Sequence, residues 1–318
     1  MRKKQNFAQP SITITYAGEF AGKYIAAALL SARTLDNGYI TIVPNVKYKQ
    51  VIQRVYVDSI VNDASCDFTT SGTVALTERI LEPKELQVNL ELCKSNFVAS
   101  WEALQLGYSA FDEVPATFTD YLVSYVGGKV AEATETSIWT GTAATNGQFK
   151  GLLPVISASA ATAGASDAIQ SSASGSITSA NVLDKLSALV DAIPAAVYGK
   201  EDLTIYVATN VAKAYQQALA GGAQGANGWN NQMNVGEKPM NFNGIELALC
   251  PGMTDSYAVA AQKSNLFFGT GLMNDYNEVR ILDMADLDGS QNFRVIMRYP
   301  ADTQVGILSD VAIHIPSV

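Results

Sequence analysis

The pattern of apolar and polar positions divides the chain into stretches of distinct character. Through Ser11–Tyr16 polar and aromatic residues alternate loosely, an Ala-rich run predicts a short helix over Gly18–Ser31, and Asp36-Asn37-Gly38 is a strong turn signal. The pattern then turns to β: Tyr39–Val43, followed by Val46–Val57, where Val51, Val55 and Val57 stand among polar residues. A second strand region runs over Thr73–Leu92, interrupted at Glu82-Pro83. An isolated hairpin of this kind is marginal in water because it buries too little apolar area, so this ribbon needs another surface to lie on.

The strongest helical pattern follows. Pro115 suits a first helical position, and Phe118, Leu122, Val126, Val130 and Ile138 lie on one ladder that Tyr121, Tyr125 and Ala133 widen to a core-facing stripe. Gly127-Gly128 weakens the helix and permits a bend or a close backbone approach, and Thr140-Gly141 ends it. At 1.5 Å per residue the helix is a rod of roughly 37 Å. Residues 157–180 are almost wholly Ser, Ala, Thr and Gly and read as a flexible connection or strand-poor loop. Beyond them an α/β pattern predicts a helix over Ser179–Ile193, a buried strand Leu203–Val207, and a helix Asn210–Ala220. A long loop Gly221–Gly236 follows, then strands at Ile245–Leu249, Ala258–Ala261, Val279–Leu282, Phe293–Tyr299 and Gly306–Ile315. There is no internal repeat.

Composition changes this picture in one respect. Charged residues make up 16% of the 318, against about 25% in ordinary soluble domains. A chain so sparing of charge fits a surface covered largely by other subunits; a secreted protein rich in Ser and Thr is the plainer alternative. Charge is also segregated. Residues 1–60 carry +5 and the remainder −14, within a net −9. A basic end on an acidic body suits docking on a neighbouring copy, while the acidic body argues against nucleic acid as the main partner. The polar residues after Arg2-Lys3-Lys4 do not make a signal peptide, and Tyr24–Leu30 is far too short to span a bilayer, so no membrane partner is expected. Cys66, Cys93 and Cys250 are odd in number and widely spaced, and are expected to be reduced and partly buried.

Candidate chemistry is thin. The single histidine, His314, has no neighbouring Ser, Cys or carboxylate cluster and reads as a strand-surface residue. Too few His and Cys are present for a zinc site, and no cofactor is expected. Asp283, Asp286, Asp288 and Gly289 miss calcium-loop spacing and read as a turn between strands. Gly221–Gly228 lacks the Gly-Lys-Ser/Thr of a phosphate loop, and Gly269-Thr270-Gly271 lacks the third glycine of a dinucleotide site; both read as loops. Glu132 and Glu135 read as surface residues on the long helix. No catalytic constellation emerges, and an enzyme is not expected.

One segment is more specific. The long helix ends in Glu135-Thr-Ser-Ile-Trp139-Thr-Gly141, followed by Phe149-Lys-Gly151-Leu-Leu-Pro154. This resembles the tailed-phage major capsid family with the Hong Kong 97-type fold, and the order of the remaining stretches is similar over nearly the whole chain. The resemblance implies an α+β protein with an N-terminal arm (1–40) and an extended β-hairpin loop (41–80). It further implies a peripheral domain (81–156 and 290–318) with spine helix 115–139, and an axial α/β domain (157–289). It implies a subunit that self-assembles through hexameric and pentameric capsomers into an icosahedral virion shell around double-stranded DNA, touched only non-specifically, after assembly in the host cytoplasm. A portal and a scaffolding protein are implied partners. No long charged helix precedes the arm and Met1 is present, so scaffolding is expected to be a separate protein. Subunit-interface candidates are Arg2, Lys3, Lys4, Lys47, Lys49 and Arg54. Some relatives crosslink through a Lys–Asn bond; Lys47 and Lys49 lie in or near the ribbon, but no Asn or catalytic acid matches, and that chemistry is not carried over. An encapsulin-like nanocompartment shell and a secreted surface-layer or adhesion protein are the competing readings.

Overall fold

A computed structural model describes residues 33–46, 48–58, 60–61, 63–64, 66, 72–93, 116–164, 166–219, 240–271, 280–284, 290 and 292–316. The predicted helix Gly18–Ser31, the loop Gly221–Gly236 and the acidic turn at Asp286–Gly289 lie outside the described residues.

The chain enters through a helical turn, α1 (Arg33–Asp36), and the expected turn at Asn37-Gly38, where Gly38 takes a φ of +62°. Strand β1 (Thr41–Val43) follows. Next come β2 (Gln50–Asp58) and β3 (Thr73–Leu81), which pair antiparallel with each other. β4 (Lys84–Cys93) starts just past Glu82-Pro83, the predicted break. The long helix α2 spans Ala116–Thr140 and buries Val126, Val130 and Ile138 on its predicted ladder, with Trp139 beside them. At Gly127 an added Cβ would meet nothing within 4 Å, so that glycine marks no close approach.

Residues 157–180 depart from expectation. Helix α3 covers Leu152–Thr162, and β5 (Ile169–Gln170) follows it. A Ser/Ala-rich stretch reads as a loop by composition, yet Ala is the best helix former. The hydroxyls of Ser157 and Thr162 donate back to the carbonyls of Leu153 and Ala158 instead of competing with the helix.

The second half alternates helix and strand: α4 (Val182–Asp191), β6 (Leu203–Val207), α5 (Thr209–Leu219), β7 (Met240–Phe242), β8 (Ile245–Leu249) and β9 (Ala258–Gln262). Then come β10 (Leu266–Thr270), β11 (Arg280–Asp283), β12 (Asn292–Val305) and β13 (Ala312–His314). Every residue of β6 is buried, Thr204 among its apolar neighbours included, as suits a central strand. It lies within a six-stranded sheet ordered β5-β13-β9-β6-β8-β7. A second sheet runs β1-β10-β12-β11, with β4 also on β12, antiparallel from Asn292↔Cys93 to Ala301↔Lys84. One apolar cluster joins α2, α3 and both sheets.

Three further differences follow. The predicted strand Gly306–Ile315 is a 3-10 turn (Leu308–Asp310) and then the short β13. β13 pairs with β9 and β5 in the six-stranded sheet, whereas β12 belongs to the other, so residues 290–318 divide between the two sheets. Gly269-Thr270 is strand, not loop, because β10 pairs with both β1 and β12 there.

Candidate assembly surface

Strands β2 and β3 form a two-stranded ribbon that joins neither larger sheet. The register places Val51 opposite Ile80, Gln53 opposite Glu78, Val55 opposite Leu76, and Val57 opposite Val74. Because side chains alternate across a strand, Val51, Gln53 and Val55 share one face with Ile80, Glu78, Leu76 and Val74. The polar pair is joined by Gln53 Nε2 donating to Glu78 Oε1 at 3.2 Å. The rest of that face is β-branched or aliphatic, and Val55, Leu76 and Val74 are 61%, 62% and 64% exposed. The opposite face carries Ile52, Arg54, Tyr56 and Arg79, with the Arg54 guanidinium 5.7 Å from the Tyr56 ring centre.

The ribbon's root is held differently. Ile80 is 48% exposed and Leu81 is fully buried, a change completed in one residue. Leu81 fills the space over Gly269 of β10, where an added Cβ would lie 2.4 Å from its Cδ2. Two side chains of β12 reach the same point: Asp302 Oδ2 accepts the Glu82 backbone N–H at 2.9 Å, and Gln304 Nε2 donates to the Ile80 carbonyl at 2.7 Å. Lys49 and Glu82 form an exposed ion pair at 3.2 Å. Lys84 turns away and donates to the carbonyls of Ala143, Thr145 and Gln148.

Helical turn α1 is anchored in the core. Thr34, on α1, donates its N–H to Glu135 Oε2 at 3.0 Å and its hydroxyl to Oε1 at 2.5 Å, while accepting Trp139 Nε1–H at 2.9 Å. The Gly252 N–H also reaches Glu135. Glu135 is therefore wholly buried and not a surface residue; Thr34 of α1 covers it. Burial raises its carboxyl above the ordinary range against the opposing pull of these donors. Glu132 does face solvent and pairs with Lys129 at 2.8 Å. Tyr206 extends the anchor, donating to the Tyr39 carbonyl at 2.6 Å and packing its ring 5.3 Å from that of Trp139.

The helix exit is built backbone on backbone. Gly151 N–H donates to Gly141 O at 2.8 Å, and a Cβ on Gly151 would lie 2.6 Å from Gly141 N. Only glycine fits such an approach, so the two glycines of the Trp139-Thr-Gly141 and Phe149-Lys-Gly151 signature hold the turn from α2 to α3.

His314 also differs from expectation. The Ser171–Gly175 segment lies over the ring, and His314 is fully buried. Its Nε2 lies 3.0 Å from the Gly175 carbonyl, which makes Nε2 the donor, and its Nδ1 lies 3.3 Å from Ser171 Oγ. Burial lowers its pKa, holding the ring neutral.

Of the candidate interface cations, Arg2, Lys3, Lys4 and Lys47 lie outside the described residues. Lys49 sits at the ribbon root and Arg54 midway along the ribbon. The exposed Val55–Leu76 face is the feature that a search for charges overlooked; its signal was the valine alternation already present in β2. Cys66 is exposed and Cys250 buried, with Cys93 between, and none is in a disulfide. Among the described residues no cluster of three or more His, Cys, Asp or Glu is placed to hold a metal, and no helix is long and apolar enough to cross a membrane.

With ribbon, long helix and two sheets in place, the architecture is α+β, and it is shared with solved phage capsid structures. The chain is similar to the capsid protein of a native GTA particle, at 14% identity and a TM-score of 0.67 with 96% of each chain covered. It is likewise similar to that of the capsid of Myoviridae phage XM1, at 12% identity and a TM-score of 0.57, covering 98% of this chain and 99% of that one. A structure from Mycobacterium phage Adephagia aligns at 15% identity and a TM-score of 0.57, with 92% of each chain covered. The sequence matches no protein-family model, and no curated relative matches it.

Proposed function

We propose that this chain is a major capsid protein, self-assembling into the icosahedral head shell of a double-stranded DNA phage. The observation that carries the reading is the ribbon's exposed apolar face, on a fold shared end to end with solved capsid proteins. Apolar surface left open along a two-stranded ribbon is unstable in water unless another surface covers it. In a shell that surface is a second copy. The low charge content and the basic N-terminal stretch support the same arrangement. The structural matches favour this reading over a nanocompartment shell or a surface-layer protein.

On this reading the fold is of the Hong Kong 97 type: residues 1–40 are the arm, the ribbon is the extended loop, α2 is the spine helix, and the six-stranded sheet is the core of the axial domain. The subunits meet in hexamers and pentamers, aided by a separate scaffolding protein and closed by a portal. DNA is enclosed and touched without sequence preference, and the protein resides in the virion after assembly in the host cytoplasm. Its role is structural, not enzymatic. Negative-stain microscopy of the purified protein, alone and with a co-expressed scaffold, is expected to reveal capsomers or closed shells. A monomer under every condition tried would refute the reading.

A further inference from the structure

The ribbon root combines one buried acid with a group of backbone tethers. We propose that Asp302 and Gln304 form a protonation-sensitive clamp on Ile80–Glu82, which fixes the angle at which the ribbon leaves the body. The geometry carries the clamp. Gln304 holds the Ile80 carbonyl and Asp302 holds the Glu82 N–H, one on either side of Leu81, which is seated over Gly269. On the ribbon side of this point β3 is paired with β2 alone, so a small rotation at Ile80–Glu82 swings the whole ribbon.

The groups around Asp302 come from every neighbouring segment. The Glu82 carboxylate lies beyond the tethered N–H and is paired with Lys49. Lys150, ahead of α3, acts on Asp302 through its charge, and its own backbone carbonyl is held by Thr303 Oγ1 at 2.5 Å. On β10 the residue opposite Asp302 is Gly269, and Leu266–Thr270 contains no ionisable side chain. On β4, Lys84 directs its ammonium to the carbonyls after α2. Lys49 is thus spent on Glu82, and Lys150 is the cation whose field reaches Asp302.

Burial dominates this balance and pushes the Asp302 carboxyl from 3.8 up to about 6, against the Glu82 and Thr303 N–H donors and Lys150. When the root opens, Asp302 meets water and returns to the ordinary aspartate range. The clamped state therefore binds a proton more tightly than the open one, and acidification through pH 6 favours the clamp. Between pH 7.5 and pH 5 the clamped-to-open ratio is expected to rise about tenfold. The consequence for assembly rests on the head-shell reading, with the ribbon's angle set by Asp302 ionisation; the clamp itself is a property of the single subunit.

The test uses the full-length unassembled protein. NMR titration of the Asp302 carboxyl carbon is expected to give a midpoint near 6. Hydrogen exchange at the Glu82 amide, corrected for intrinsic pH dependence, is expected to slow about tenfold from pH 7.5 to pH 5. D302N retains an acceptor for Glu82 N–H and is expected to flatten that profile, whereas E82Q leaves it in place. An Asp302 midpoint near 4, or an unchanged profile in D302N, overturns the proposal. Should D302N not fold, the wild-type titration decides alone. A protein that never assembles yet titrates as described would refute the head-shell reading and leave the clamp standing.

Discussion

At the scale of single residues, the buried polar groups do what the sequence assigned to none of them. Glu135 and His314 look like surface residues in the sequence for the same reason: neighbouring apolar positions reveal one buried face and say nothing about what covers the other. For Glu135 that cover is Thr34, a hundred residues earlier; for His314 it is the Ser171–Gly175 loop held against β13. The histidine carries a testable consequence. Its folded pKa is lowered by burial, so its contribution to stability is full above the unfolded value and is lost as pH falls through the folded one. Glu135 and Asp302, whose pKa values are raised, act in the opposite direction, their contributions being full at low pH and lost as pH rises. A difference measurement isolates the histidine: the urea midpoint of wild type is expected to exceed that of H314Q by more at pH 8 than at pH 5. A gap that stays constant across that range would show that His314 is not held neutral.

Elements were legible where one pattern dominated. The α2 ladder and the largely apolar β6 run each specify a single solution, and β6 and β8 fall on the residues predicted for them. Legibility failed where composition stood in for pattern. α3 was hidden by its serines and alanines, and β10 by Gly269, which looks like a loop residue until Leu81 is seen to need its space. The ribbon lay between these cases. Its valines predicted a strand that could not stand alone, but the face that seeks a partner was visible only once Val55 and Leu76 were found opposite each other. The double variant V55S/L76S removes apolar area from that face. Both positions are exposed, so subunit stability is expected to change by no more than about 0.5 kcal/mol per substitution. Shell or capsomer yield in the same preparations is expected to fall at least tenfold, read by sedimentation and microscopy. Undiminished assembly would mean that this face is not an interface.

At the scale of the whole molecule, the uneven placement of charge bears on how copies meet. Residues 1–60 carry +5 against −14 elsewhere, and Thr34 is held in the core by Glu135. A basic segment tethered to an acidic body gains most by lying on an acidic surface, and in a shell every neighbour offers one. Such docking acts between exposed charges and is screened: the Debye length falls from about 10 Å at 0.1 M salt to about 3 Å at 1 M. Assembly of the wild type is therefore expected to weaken as salt rises. The triple reversal R2E/K3E/K4E is expected to impair assembly at 0.1 M salt, to lose most of that salt dependence, and to leave the subunit's melting temperature unchanged. Light scattering of assembly against salt concentration, with calorimetry of the unassembled subunit, measures all three. If the triple variant assembles as well as wild type with the same salt profile, arm docking is not electrostatic, and the segregated charge serves some purpose other than holding neighbours together.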